Sequence, residues 1–107
     1  MTDEQKLAYL KGLLNIPDEL QDDKLSSYLD LSKHEILEWM YINKGGVPET
    51  IVDVPSRYEV TQIYAVIAGF NSEGGENESS VTENGIRRDF HYTDMVEYIR
   101  NHVFQIL

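Results

Sequence analysis

Residues 25–43 read Leu25-Ser26-Ser27-Tyr28-Leu29-Asp30-Leu31-Ser32-Lys33-His34-Glu35-Ile36-Leu37-Glu38-Trp39-Met40-Tyr41-Ile42-Asn43, and their periodicity sets the architecture. At 3.6 residues per turn, Leu25, Tyr28, Leu29, Ser32, Ile36, Trp39, Met40 and Asn43 share one stripe. Leu31 and Ile42 flank it on one side, Leu37 and Tyr41 on the other. This is a helical pattern, with Asp22 and Asp23 as expected caps and an end near Asn43. The last turn, Trp39 to Ile42, is apolar nearly all round. A surface helix needs one buried stripe, so this end is expected to meet a second neighbour. That neighbour is either the central helix of the same chain or another subunit.

Working outward, Lys44-Gly45-Gly46-Val47-Pro48 stops the helix with glycines and a proline beyond its end. A third helix is predicted from Pro55, a good first-turn residue. Arg57, Glu59, Thr61 and Gln62 crowd its first half, and from Ile63 to Phe70 only Gly69 breaks the apolar run. That marks a central helix, predicted to end near Gly69 or Asn71. Towards the N-terminus, Thr2 and Gln5 fit a capping box, opening a helix with Leu7, Leu10 and Leu14 on one face. It is predicted to end near Asn15, before Ile16-Pro17-Asp18. Thr93 and Asp94 cap a fourth helix, with Met95, Val96, Ile99, Val103, Ile106 and Leu107 on one arc. Arg100, Asn101 and Gln105 take its other side.

Residues 71–92 interrupt this helical plan. A Ser/Glu/Gly run over 71–80 leads into a segment that folds back at Asn84-Gly85, a strong hairpin signal. Val81-Thr82-Glu83 would pair with Ile86-Arg87-Arg88. Two isolated strands are marginal in water, and Val81, Ile86 and Phe90 supply little core. The segment is therefore either a plain surface loop or a ribbon that docks on a partner. The expected fold class is mainly α, a small bundle of about four helices with a β-hairpin or loop inserted before the C-terminal helix. No repeat or composition break divides the 107 residues, so one domain, 1–107, is expected.

Composition narrows the function. Nineteen acidic and nine basic residues give a net charge of -10. Counterion release favours basic proteins on nucleic acid, so this surface should repel a phosphate backbone. Solubility is one reading of that charge, and an acidic surface that mimics or repels DNA is the other. There is no cysteine, which removes disulfides and thiolate metal sites and fits a reducing cytoplasm. The longest apolar run, Ile63 to Ala68, is too short to span a membrane. Met1 to Lys6 lacks the features of a signal peptide.

Catalytic motifs are not legible. His34-Glu35-Ile36-Leu37-Glu38 has Glu38 where a zinc-binding helix would carry a second His. His91 and His102 are isolated, and Gly74-Gly75 has no Lys-Ser/Thr after it. Ser79 and Ser80 have no base beside them. Arg87-Arg88, next to Glu83 and Asp89, suits pairing with acidic protein surface. The expectation is a non-enzyme with no catalytic, cofactor-binding or metal-binding residue and no cofactor.

The order of elements resembles the tailed-phage head–tail connector (adaptor) family, whose subunits form a ring beneath the portal. The likeness rests on the leucine-rich opening Leu7-Ala8-Tyr9-Leu10 and the acidic stretch Asp18-Glu19-Leu20-Gln21-Asp22-Asp23. It continues in the Leu25, Leu29, Ser32, Ile36 to Trp39 spacing and the Pro-initiated helix Val54-Pro55 to Ala68. Ser79 to Gly85 then stands for the family's polar loop, and Met95 to Leu107 for its final helix.

The resemblance implies a structural virion protein, assembled in the bacterial host cytoplasm, that joins the DNA-filled head to the stopper or tail. Its implied partners are its own copies, in a ring that is typically twelvefold, the portal protein, and a stopper or tail-completion protein. DNA would pass through an acidic channel without specific binding, and no membrane is involved. A closing ring needs two different complementary patches. The expected ones are the hairpin, through Val81, Glu83, Asn84, Gly85, Ile86, Arg87, Arg88 and Phe90, and the terminal helix, through Phe104, Ile106 and Leu107. The alternative is a small acidic regulator, or a DNA mimic that inhibits a nucleic-acid-binding protein.

Overall fold

The structure, a computed structural model, describes residues 1–75 and 94–107. The expected hairpin, with Val81, Glu83, Asn84, Gly85, Ile86, Arg87, Arg88 and Phe90, lies outside the described residues. The chain is mainly helical: α1 (Asp3–Leu14), α2 (Asp22–Met40), α3 (Glu59–Gly75) and α4 (residues 94–102). Short 3-10 turns at Ile42–Lys44 and Ser56–Tyr58 flank the loop between α2 and α3.

α1 begins as its sequence dictates. The Thr2 hydroxyl accepts from the Gln5 amide at 3.1 Å, and the Gln5 side chain accepts from the Thr2 amide at 2.8 Å. It stops at Asn15, which adopts φ 58°, while the Ile16 amide donates back to the Lys11 carbonyl at 2.9 Å. That pattern satisfies carbonyls the helix would otherwise leave open, and Ile16 packs against the apolar cluster that includes Leu10.

α2 departs from expectation at both ends. Gln21, without a side-chain cap, precedes it, and Asp22 and Asp23 lie inside the first turn. There the two carboxylates face the positive end of the helix dipole, and Asp22 also meets Lys11 at 2.9 Å. The α-helix closes at Met40, and the chain tightens into the 3-10 turn before Gly45 reverses it at φ 81°. Pro55 likewise precedes a 3-10 turn, so α3 starts at Glu59.

α3 continues past Gly69 and Asn71 to Gly75. Gly69 is buried inside the helix and does not terminate it. The insertion is shortened accordingly, because residues 71–75 are helical.

Two apolar clusters hold the bundle. Leu10, Leu25, Leu29, Ile63 and Val66 join α1, the first half of α2 and α3. Ile36, Leu37, Met40, Val54, Tyr58, Ala65, Met95, Ile99 and Val103 join the second half of α2 to α3, α4 and the loop. Tyr28 touches both clusters and makes the core continuous. The stripe read from residues 25–43 is thus the seam of the molecule, with Leu25, Leu29, Ser32, Ile36 and Met40 all buried. Its all-round apolar end meets the chain's own loop and C-terminal segment, in addition to α3 and α4.

Candidate subunit interface

The C-terminal segment departs furthest from the sequence reading. α4 ends at residue 102, and residues 103–107 run on without helix. Ile106 and Leu107 are therefore not on a helical arc with Met95 and Ile99. Tertiary partners take the backbone groups that a longer helix would have used. The Phe104 amide donates to the Tyr58 hydroxyl at 3.0 Å, and the Ile106 amide to the Met40 carbonyl at 2.8 Å. The Trp39 indole donates to the Val103 carbonyl at 3.0 Å. These bonds lash the segment across the end of α2.

The lashing divides its side chains. Val103 is buried, and Ile106 packs on the core and is spent inward. Phe104 and Leu107 are left 81% and 92% exposed. Of the three terminal residues expected at an interface, two point to solvent. Arg57 and Arg100 stand at the root of this segment, stacked over the Tyr58 and Trp39 rings at 4.9 and 5.0 Å.

A second apolar surface was not foreseen as a site. Between α2 and the following loop lies a groove of about 750 Å³, walled by Leu37, Tyr41, Ile42, Val47, Ile51 and Val52. Ile42 is 54% exposed and Val52 75%. Its signal in the sequence was the surplus of apolar residues at Trp39 to Ile42, continued by Val47, Ile51 and Val52. What sequence could not show is that the loop folds back beside the helix and leaves a gap.

Asp53 anchors that loop. Its carboxylate accepts from the Val54 amide at 2.7 Å and meets the fully buried Lys6 ammonium of α1 at 3.3 Å. Partial burial pushes the Asp53 pKa up, but the Val54 hydrogen bond, the Lys6 hydrogen bond and the charges of Lys6 and Lys33 together bring it below the usual carboxylate value. On α4, desolvation, followed by the nearby Tyr64, raises the pKa of the Tyr98 phenol.

The histidines take local roles. His34 Nδ1 lies 3.0 Å from the Asp30 carbonyl, and His102 Nδ1 2.8 Å from the Tyr98 carbonyl, each one turn back on its own helix. His102 also stacks on Tyr98, with ring centres 4.0 Å apart. Among the described residues, no group of three or more His, Cys, Asp or Glu side chains converges as a metal site.

The model of the phage gp6-like head-tail connector protein family matches residues 4–102, from the first turn of α1 to the end of α4. The chain belongs to that family. This connector is accordingly a structural virion protein of a tailed phage, from a family that is structural and not enzymatic. Family membership implies a place at the head–tail junction, in assembly with portal and tail proteins. No curated protein and no solved structure matched the chain. Among the described residues of the connector, no helix is long and apolar enough to cross a membrane. The match ends one residue before the lashed segment 103–107.

Proposed function

We propose that the whole chain acts as one domain that assembles into a ring beneath the portal and carries DNA from the head to the stopper or tail. The family match over residues 4–102 carries this reading. Net charge supports the channel: at -10, a wall built from many copies repels the phosphate backbone and lets DNA slide. The ring is expected to be twelvefold and to assemble in the host cytoplasm. Its contacts are assigned to two regions. One is the terminal segment, through Phe104 and Leu107, with Ile106 holding it to the core. The other is the span from Val81 to Phe90, where Arg87 and Arg88 suit the acidic surface of a neighbour. The DNA-mimic alternative rests on charge alone and gains no support from the fold.

Mixing the protein with the portal protein of its own phage tests this reading. Size-exclusion chromatography should show the two eluting together, and the complex should not retain linear duplex DNA at low salt. Separate elution, or salt-sensitive capture of DNA, would contradict the reading.

A further inference from the structure

A closed ring of identical subunits needs a head-to-tail contact between two different patches. The end of α2 carries such a pair. On one side, Trp39 and Met40 hold the lashed segment that presents Phe104 and Leu107. On the other, Leu37 and Tyr41 floor the groove. At 100° per residue the two directions lie about 130° apart around the helix. One patch is projecting, the other recessed, and both are apolar.

Charge separates them in the same sense. Arg57 and Arg100, both exposed, stand at the root of the projecting segment. The groove is edged by the exposed carboxylates of Glu38 and Glu49. Lys33 also borders the groove but lies 3.7 Å from Asp30, and His34 turns Nδ1 to its own helix backbone. We propose that the Phe104–Leu107 segment of one copy seats in the groove between α2 and residues 46–52 of the next. Arg57 and Arg100 then face Glu38 and Glu49 across the rim. Apolar burial supplies the attraction, and the rim charges fix orientation and exclude the reversed pairing. The contact is heterologous, so each copy keeps a free groove at one end and a free segment at the other until the ring closes.

This inference rests on the proposed ring, and its test separates the two. The chain has no cysteine, so Leu107→Cys, which keeps the larger Phe104 anchor, and Val52→Cys each introduce a single thiol, both at exposed positions. The variants, given tags of different mass, are mixed and treated with a short bismaleimide. A head-to-tail contact predicts the mixed dimer several-fold above its statistical share and little of either homodimer. Adding Glu49→Arg to the Val52→Cys chain should cut that yield several-fold, and adding Arg100→Glu to its partner should recover part of it. Statistical proportions, or a dominant Leu107→Cys homodimer, would overturn the contact. Rings seen by electron microscopy alongside that negative result would leave the ring reading standing. Enriched mixed dimers without any closed ring would uphold the contact and contradict the ring.

Discussion

At the scale of single residues, the Lys6–Asp53 pair is the most exposed to test. Lys6 is fully buried, whereas the Asp53 side chain is 46% exposed, so the two ends of the bridge are unequal. Removing the carboxylate strands an ammonium in the interior, while removing the ammonium leaves a carboxylate that water can reach. Asp53→Ala is expected to cost about 1–3 kcal/mol, below the range for fully buried pairs because solvent screens this one. Lys6→Met, which keeps the apolar stem, should lie within about 1 kcal/mol of wild type or above it. Urea denaturation at neutral pH checks both, and equal losses would contradict the asymmetry. The Asp53 pKa is lower in the folded than in the unfolded chain. Its contribution is therefore complete above about pH 4 and is lost as pH falls through the depressed folded value. Asp53→Ala should have a shallower acid limb in its stability curve than wild type. None of this is legible in sequence. Lys6 reads as a solvated lysine, and its partner lies 47 positions away.

Among the elements, the interiors and both ends of α1 were legible, and most other ends were not. The stripe from Leu25 to Met40 is a local property of the sequence, repeated often enough to survive any context. The end of α1 was equally readable, because Asn15 tolerates the left-handed conformation that the stop requires. Elsewhere the stop is decided by groups far away. Gly69 resembles a terminator but is buried within α3. The arc of Met95, Ile99, Val103 and Ile106 resembles a longer helix, yet Tyr58, Met40 and Trp39 take the backbone of 103–106 instead. Tyr58→Phe removes the acceptor of the Phe104 amide while keeping the ring in the core. It should cost about 1 kcal/mol and speed hydrogen exchange at the Phe104 amide well beyond that in α2. Unchanged protection there would show that the hydroxyl does not hold the segment. The groove belongs to the same category: its apolar residues were visible, but its concavity depends on how the loop returns to α2.

For the whole molecule, family membership carries the connector role. Acidic excess is a property of composition and was readable at once. Which surfaces meet in an assembly was not, because a patch such as Phe104 and Leu107 becomes distinct only when its neighbours, Val103 and Ile106, have been turned inward. We hold that this connector closes into a ring on the portal. Electron microscopy of the full chain mixed with the portal protein of its own phage tests it most directly. The expected image is a ring of identical subunits stacked coaxially on the portal, with an open central passage. Portal particles that carry no added ring at saturating protein would contradict it.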